Sequence, residues 1–383
     1  MSHPRIYFFC REEENCLQND IVALAEGLDQ LGIPFYARAN YWRTSPAPAD
    51  FLFKHTPEVR PDDCDVLVFP YAWFTWYLVG DREPRRRDFV EYITRRHRSY
   101  RTVYLDHNDG YQTVSWEPPF RQFDHIFRAK FNARAWQPAN MLPWADGLTQ
   151  RVVDLTADAP PFRERRRVVY VSYNASHPYA HSSRTAAVRR LHPALASLLP
   201  VYEPPFTDIG TPPGDPYDRL MWVQTNGRHS RTYYERLKSV AACSAFCGEI
   251  IPPMPFRPEI YLVGGNKAKL YRHFYDMLAW FDPRPARAVS CDSFRFWETL
   301  AAGTVAFNVD LEKYGARLPV MPVNWKHYIG VDFDRLDETV DRLRANPACL
   351  ESIAAQGRAW ALEHYSPKAT ARRFLETLGL PVS

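Results

Sequence analysis

Short, uniformly apolar runs alternate with helix-periodic stretches along this chain, and several of the runs stop at polar residues suited to line a crevice. Ile6-Tyr7-Phe8-Phe9 is the first run, and after a polar loop Leu17, Ile21, Leu24, Leu28 and Leu31 recur at helical spacing. Gly32 stands where a helix C-cap belongs, and Ile33-Pro34-Phe35-Tyr36 predicts a second strand. Asp65 to Phe69 is a continuous apolar run closed by Pro70, and Arg101 to Leu105 runs straight into Asp106-His107-Asn108-Asp109-Gly110. Runs without polar alternation belong to strands covered on both faces, so the expectation is an α/β fold with a doubly wound parallel sheet. The C-terminal strand ends of such a sheet face a ligand crevice.

One hydrophobic core rarely organises 383 residues. The Pro- and charge-rich segment Thr156–Arg167 lacks apolar periodicity and reads as a linker, after which the pattern restarts. Val168 to Ser172 predicts a strand. Ser183 to Leu198 predicts a helix with Val188, Leu191, Leu195 and Leu198 inward, and Tyr233 to Ala242 another. A helix around Leu270–Phe281 follows, then a helix at Phe294–Ala302 stopped by Gly303 and a strand Thr304–Asn308. Leu336–Leu343 and Leu350–His364 are helical, and Ser366-Pro367 opens a last helix as an N-cap serine with proline in the first turn does. The reading is two doubly wound, Rossmann-like domains facing a cleft, with residues 1–155 forming the first and 165–365 the second.

Composition narrows the function. With 46% hydrophobic and 24% charged residues and no run of eighteen apolar residues, a transmembrane span is not expected. The opening apolar run is too short for a signal peptide, so a cytoplasmic protein is the expectation. Seven cysteines do not suggest a disulfide scaffold, and Cys243 and Cys247 lack a second pair at zinc spacing; they read as buried free thiols. A net charge of +4 is mild. The basic clusters Arg85–Arg87, Arg95–Arg96 and Arg163–Arg167 read as solvated surface, or as a face meeting anionic lipid at the inner side of a membrane or a polyanionic acceptor.

The most informative stretch is Ser290-Cys-Asp-Ser-Phe-Arg-Phe-Trp-Glu-Thr-Leu-Ala-Ala-Gly-Thr-Val-Ala-Phe307. Asp292 or Ser293 can cap a helix beginning at Phe294, whose free N–H groups and dipole suit a pyrophosphate. Arg295 adds a fork of donors matched to phosphate oxygens. Glu298, three residues on, can accept both hydroxyls of a ribose. An ordinary amphipathic helix with a surface Arg–Glu pair is the rival reading. Lys267 and Lys269, in the Gly-rich loop from Gly264, are further phosphate candidates against a solvated turn.

This stretch resembles the donor-site helix of GT-B-fold glycosyltransferases of bacterial type, most of all the exostosin-like and fucosyltransferase-like groups. It carries Ser293, Arg295, Glu298, Leu300 and Ala302-Gly303 at the matching places. It departs from the retaining class in having Ser290 where a second Glu stands and Ala306 where many relatives have Pro. Val168 to Asn174 followed by Ser183-Arg184 is similar to the first βα unit of the donor domain in fucosyltransferase-like enzymes. The resemblance implies that Arg184 and Arg295 hold donor phosphates, Glu298 the ribose, and that residues 366–383 form a helix crossing back to the first domain. It also implies a nucleoside diphosphate sugar as co-substrate, with no other cofactor. No metal is expected, since Asp332-Phe-Asp334 has the Asp-x-Asp spelling but lies late, at a strand-to-helix turn.

A general base for the acceptor hydroxyl should stand on a strand end of the first domain. Asp106, His107 and Asp109 are the densest cluster, with a backbone-bonded turn as their alternative. Glu12, Glu13 and Glu14 come next. Gln18 and Asp20 at the first helix, and Tyr71, Trp73, Phe74 and Trp76 after the Val66–Phe69 run, are acceptor-contact candidates, equally explained by capping and core packing. The implied acceptor is a glycan, a lipid-linked molecule or a small molecule, with no nucleic acid. Two rivals stay open: a non-catalytic nucleotide-sugar- or polyanion-binding protein of the same fold, and another doubly wound cofactor enzyme. The second is disfavoured by Cys10-Arg-Glu-Glu-Glu-Asn15 where a Gly-x-Gly-x-x-Gly turn would stand.

Overall fold

The computed structural model describes residues 3–10, 19–74, 88–108, 118–173, 182–204, 211–225, 227, 230–251 and 286–382. Strands β1 (Ile6–Phe8), β2 (Phe35–Ala37), β5 (Val66–Pro70), β6 (Arg101–Asp106), β7 (His125–Arg128) and β8 (Met141–Pro143) form one sheet, ordered β2-β1-β5-β6-β7-β8 and parallel throughout. A short antiparallel pair, β3 (Tyr41–Arg43) and β4 (Phe51–Phe53), stands beside it. Side chains alternate across the pleat, so Ile6, Phe8, Val66 and Val68 enter one core while Tyr7, Phe9, Leu67 and Phe69 enter another. Both faces are covered, which is why these strands read as unbroken apolar runs.

The second sheet repeats the design. Strands β9 (Arg166–Tyr170), β10 (Val201–Tyr202), β11 (Val240–Ser244), β14 (Val305–Val309) and β15 (Ile329–Val331) lie parallel in the order β10-β9-β11-β14-β15. An antiparallel pair, β12 (Glu249–Ile251) and β13 (Arg287–Val289), packs at its edge. In each sheet the strand order reverses once, between β1 and β5 and between β9 and β11. Those reversals mark the crevices where ligands enter a doubly wound fold.

Six helices matter below: α1 (Asn19–Gln30), α2 (Pro216–Gln224), α3 (Arg231–Lys238), α4 (Phe294–Ala301), α5 (Cys349–Tyr365) and α6 (Pro367–Thr377). Helix α6 leaves the second sheet and packs on α1, placing Ala371, Phe374, Leu375 and Leu378 in the core of the first. Fully burying a side chain of phenylalanine or leucine size contributes about 1.5–3 kcal/mol. The approach is close: a Cβ on Gly27 would lie 1.9 Å from the Pro367 carbonyl oxygen.

The two halves also meet through polar contacts. The Asn132 amide donates to the Ala288 and Tyr314 carbonyls, at 2.8 and 2.9 Å. Gln224 of α2 both donates to and accepts from the Arg43 backbone.

Three expectations are corrected. Residues 240–244 are strand β11 and not the end of a helix, because the chain turns at Ser239. The helix beginning at Ser182 widens into a π turn over Ala187–Leu191, just before Pro193, whose missing N–H breaks the regular ladder. Val188 is thereby turned outward, 39% exposed. Arg165, expected in a solvated cluster, is buried and donates to the Ala302 and Gly303 carbonyls, capping the C-terminal end of α4. The Leu270–Phe281 helix and Arg85–Arg87 lie outside the described residues. Among the described residues, no helix is long and apolar enough to cross a membrane, and the six described cysteines are free.

Candidate functional site

At the strand-order reversal of the second sheet, the chain leaves β9 through Ser172 and Tyr173 and leaves β11 through Ala245 to Gly248. Two arginines converge there. Arg184 donates from Nε to the Phe246 carbonyl at 3.1 Å and from Nη2 to the Cys247 sulfur at 3.3 Å. Arg295, in the first turn of α4, donates to the Ser172 hydroxyl at 2.9 Å and to its carbonyl at 3.0 Å. Both guanidinium groups stand near the Tyr173 ring, 5.3 and 5.4 Å from its centroid. Every acceptor they hold is neutral, and among the described residues neither forms an ion pair with a carboxylate.

The loop opposite is locked in place. Ser183 shares its hydroxyl between the Cys247 and Gly248 carbonyls. Gly248 takes φ +72°, where a Cβ would lie 1.8 Å from the Val289 carbonyl oxygen. Ser293 occupies the N-cap position of α4 in extended conformation, yet its hydroxyl makes no capping bond and is buried without a hydrogen-bond partner. The cap position, the helix dipole and two cations without an ion-paired carboxylate among the described residues thus lie together, an arrangement that favours an anion.

Glu298 does not share the surface face with Arg295 that its spacing implies. It is 4% exposed, and its two oxygens accept from the Tyr233 and Tyr234 hydroxyls, each at 2.9 Å. Burial, with the carboxylate beside them, holds both phenols far above their ordinary range, so they stay donors. Through these two bonds Glu298 ties α4 to α3.

On the first domain, the strand-end cluster divides. Asp106 is fully buried and bonded at 2.8 Å to Arg128, itself 1% exposed, so it anchors β6 to β7 and is no candidate base. His107, the next residue, keeps about one-tenth of its side chain exposed, with Nδ1 2.8 Å from an Asp146 oxygen and Nε2 buried. The other Asp146 oxygen accepts from Lys130 at 2.8 Å, and the same ammonium stands 3.4 Å from Asp292, the residue before Ser293. A chain of four polar groups therefore runs from the end of β6 to the start of α4.

Its charges are uneven. Burial pushes the Asp146 carboxyl up, but Lys130 and His107 outweigh it and hold the group at about 2. Burial pushes Asp292 up to about 7, with Lys130 opposing and Asp146 adding. The second Asp292 oxygen is buried without a hydrogen-bond partner.

Of the aromatic candidates, Tyr71 donates to the Asn108 side chain at 2.9 Å and so belongs to the His107 strand end. Trp73 does not: it is 6% exposed in the core, edge-on to Phe9 and under the Arg38 guanidinium. The side chain of Phe74 is not described, and Trp76 lies outside the described residues. Asp20 occupies the first turn of α1. Glu12, Glu13, Glu14, Gln18, Asp109, Lys267 and Lys269 lie outside the described residues. Asp332 and Asp334 both accept from Lys313. Sequence reasoning missed Asp146, Lys130 and Tyr173. The one available signal was Asp146-Gly147 directly after a short apolar run, a strand-end turn.

No family model matches the chain, and no curated protein matches its sequence. Solved structures do match in shape. The chain is similar to an alpha-glucosyltransferase in complex with UDP-glucose and DNA containing an abasic site, at TM-score 0.52 and 11% identity over 99% of this chain and 100% of that one. The fold is GT-B. Weaker likenesses include a sucrose-phosphate synthase from Thermosynechococcus elongatus, at TM-score 0.48 and 10% identity over 98% of each chain. Another is HepE from Anabaena in complex with UDP and glucose, at TM-score 0.47 and 10% identity over 98% of this chain and 100% of that one. In GT-B terms, the arginine cluster lies at the crevice of the second Rossmann-like domain and the His107 strand end on the first.

Proposed function

We propose that this chain is a glycosyltransferase that moves a sugar from a nucleoside diphosphate donor to a hydroxyl acceptor. The observation carrying the reading is the pair Arg184 and Arg295, two cations with neutral partners beside one tyrosine ring, at the sheet reversal and next to the uncapped Ser293. A diphosphate supplies the negative charge this arrangement lacks. The motif from Ser293 to Gly303, with its likeness to exostosin-like and fucosyltransferase-like donor helices, supports the same placement.

In the reaction the acceptor oxygen bonds to the anomeric carbon, and the bond from that carbon to the phosphate oxygen breaks. The two arginines stabilise the charge left on the diphosphate. His107 takes the acceptor proton. With Nδ1–H donated to Asp146, the ring's other nitrogen carries the lone pair, and Asp146 stabilises the imidazolium that forms. Closure of the two domains would exclude water and protect the donor from hydrolysis.

UDP-glucose is the first donor to test and uridine diphosphate the first ligand, since the similar glucosyltransferase was solved with UDP-glucose. Thermal shift should rise with uridine diphosphate and not with uridine. Arg184→Ala and Arg295→Ala should each weaken that binding by about 1.5–3 kcal/mol, the scale of a charge-assisted hydrogen bond. Arg295→Lys should restore only part of it, because a point charge cannot reproduce the fork. Unchanged affinity in both alanine variants would remove the basis of the proposal.

A further inference from the structure

Tyr173 is 3% exposed, and its hydroxyl is anchored. It lies 2.8 Å from the hydroxyl of Ser244, a fully buried residue at the end of β11, and that hydroxyl lies 3.0 Å from Nε2 of the buried His192. Burial keeps the Tyr173 phenol up at about 12 and the His192 imidazole down at about 4, so all three groups stay neutral. The relay therefore adds no charge to the site. What it does is fix one aromatic ring against two strand ends.

That ring is where Arg184 and Arg295 meet, each within 5.4 Å of its centroid. Both guanidinium groups are positive and repel each other, and the negative face of the ring they share offsets part of that repulsion. A ligand carrying one phosphate can neutralise one of the two cations well. A ligand with two linked phosphates can engage both at once, provided the cations keep a fixed spacing.

We propose that Tyr173 is a positioning residue that sets the spacing of Arg184 and Arg295, and so makes the site selective for a diphosphate over a monophosphate. The inference rests on the donor reading above and adds the residue that decides phosphate number. Ser244 and His192 act through it by holding the hydroxyl. None of the three is assigned to touch the ligand's reacting atoms.

The test compares uridine diphosphate, uridine monophosphate and uridine by calorimetric titration on the full chain. Wild type should prefer the diphosphate over the monophosphate by about a hundredfold, the yield of one further charge-assisted contact pair. Tyr173→Leu removes the ring and should weaken diphosphate binding about tenfold while leaving monophosphate and uridine affinity unchanged. Tyr173→Phe keeps the ring but loses the anchor of its hydroxyl, so it should fall between wild type and the leucine variant for the diphosphate and leave the other two ligands unchanged. Ser244→Ala cuts only the anchor of the hydroxyl. It should cost about threefold for the diphosphate alone, which keeps the test available if the leucine variant fails to fold. An equal loss for all three ligands, or an unchanged diphosphate preference in the leucine and alanine variants, overturns the inference and leaves the donor reading standing. Absence of diphosphate binding in wild type overturns both.

Discussion

Asp292 offers the sharpest test of the polar chain between the domains. The residue is 3% exposed, with one oxygen 3.4 Å from Lys130 and the other unpartnered. Its carboxyl, 3.8 in an unperturbed setting, is held at about 7. A folded-state value above the unfolded one means that the stabilising contribution is fully present below about pH 4 and lost as pH rises through about 7. At 1.36 kcal/mol per pKa unit, the shift costs the fold about 4 kcal/mol at pH 8, where Asp292 is ionised, and about 1 kcal/mol at pH 4.5, where the fold holds it protonated. Asp292→Asn keeps the volume and an oxygen for Lys130 but cannot ionise, and the pull of Lys130 is already contained in the raised value. The variant should therefore exceed wild type by those amounts in urea unfolding at the two pH values. A difference that does not change with pH, or a variant less stable than wild type at pH 8, refutes the reasoning.

Two further outcomes are expected. His107→Ala should leave uridine diphosphate affinity within about twofold and slow transfer from UDP-glucose to a pool of hydroxyl acceptors by about a hundredfold or more; weakened diphosphate binding instead would move His107 to the donor side. Gly27→Ala puts a methyl 1.9 Å from the Pro367 carbonyl oxygen, where backbone has to shift. It should lower stability by about 1–3 kcal/mol, the range of overpacked sites, read as the urea midpoint.

Much of the architecture was legible because parallel strands covered on both faces must be apolar throughout. Val66 to Phe69 and Arg101 to Leu105 show this, and the helix spacing of Leu24 and Leu28 marked α1. Strand β11, Val-Ala-Ala-Cys-Ser, was not legible: its residues are small, lack the β-branched signature beyond Val240, and continue a helical pattern without an obvious stop. The site divided along the same line. Arg295 and Arg184 could be singled out in the sequence because a helix N-terminus and a βα turn are local features. Asp106 and His107 are neighbours in sequence, and only the tertiary position of Arg128 and Asp146 decides that one pairs with an arginine and the other with a carboxylate. Tyr173 has no local signature, since its role comes from two arginines reaching it from other elements.

The placement of α6 reverses the usual order of completion during synthesis. A first domain ordinarily finishes folding while the rest of the chain is still being made. Here the core of the first sheet is closed by Ala371, Phe374, Leu375 and Leu378, which leave the ribosome only after every described strand of both sheets. Until they arrive, α1 presents an apolar flank with no cover. A chain truncated before residue 366 would thus leave the earlier-made domain unfinished, while the described core of the later-made one keeps its residues. The second sheet would meanwhile have had every strand in hand for some time.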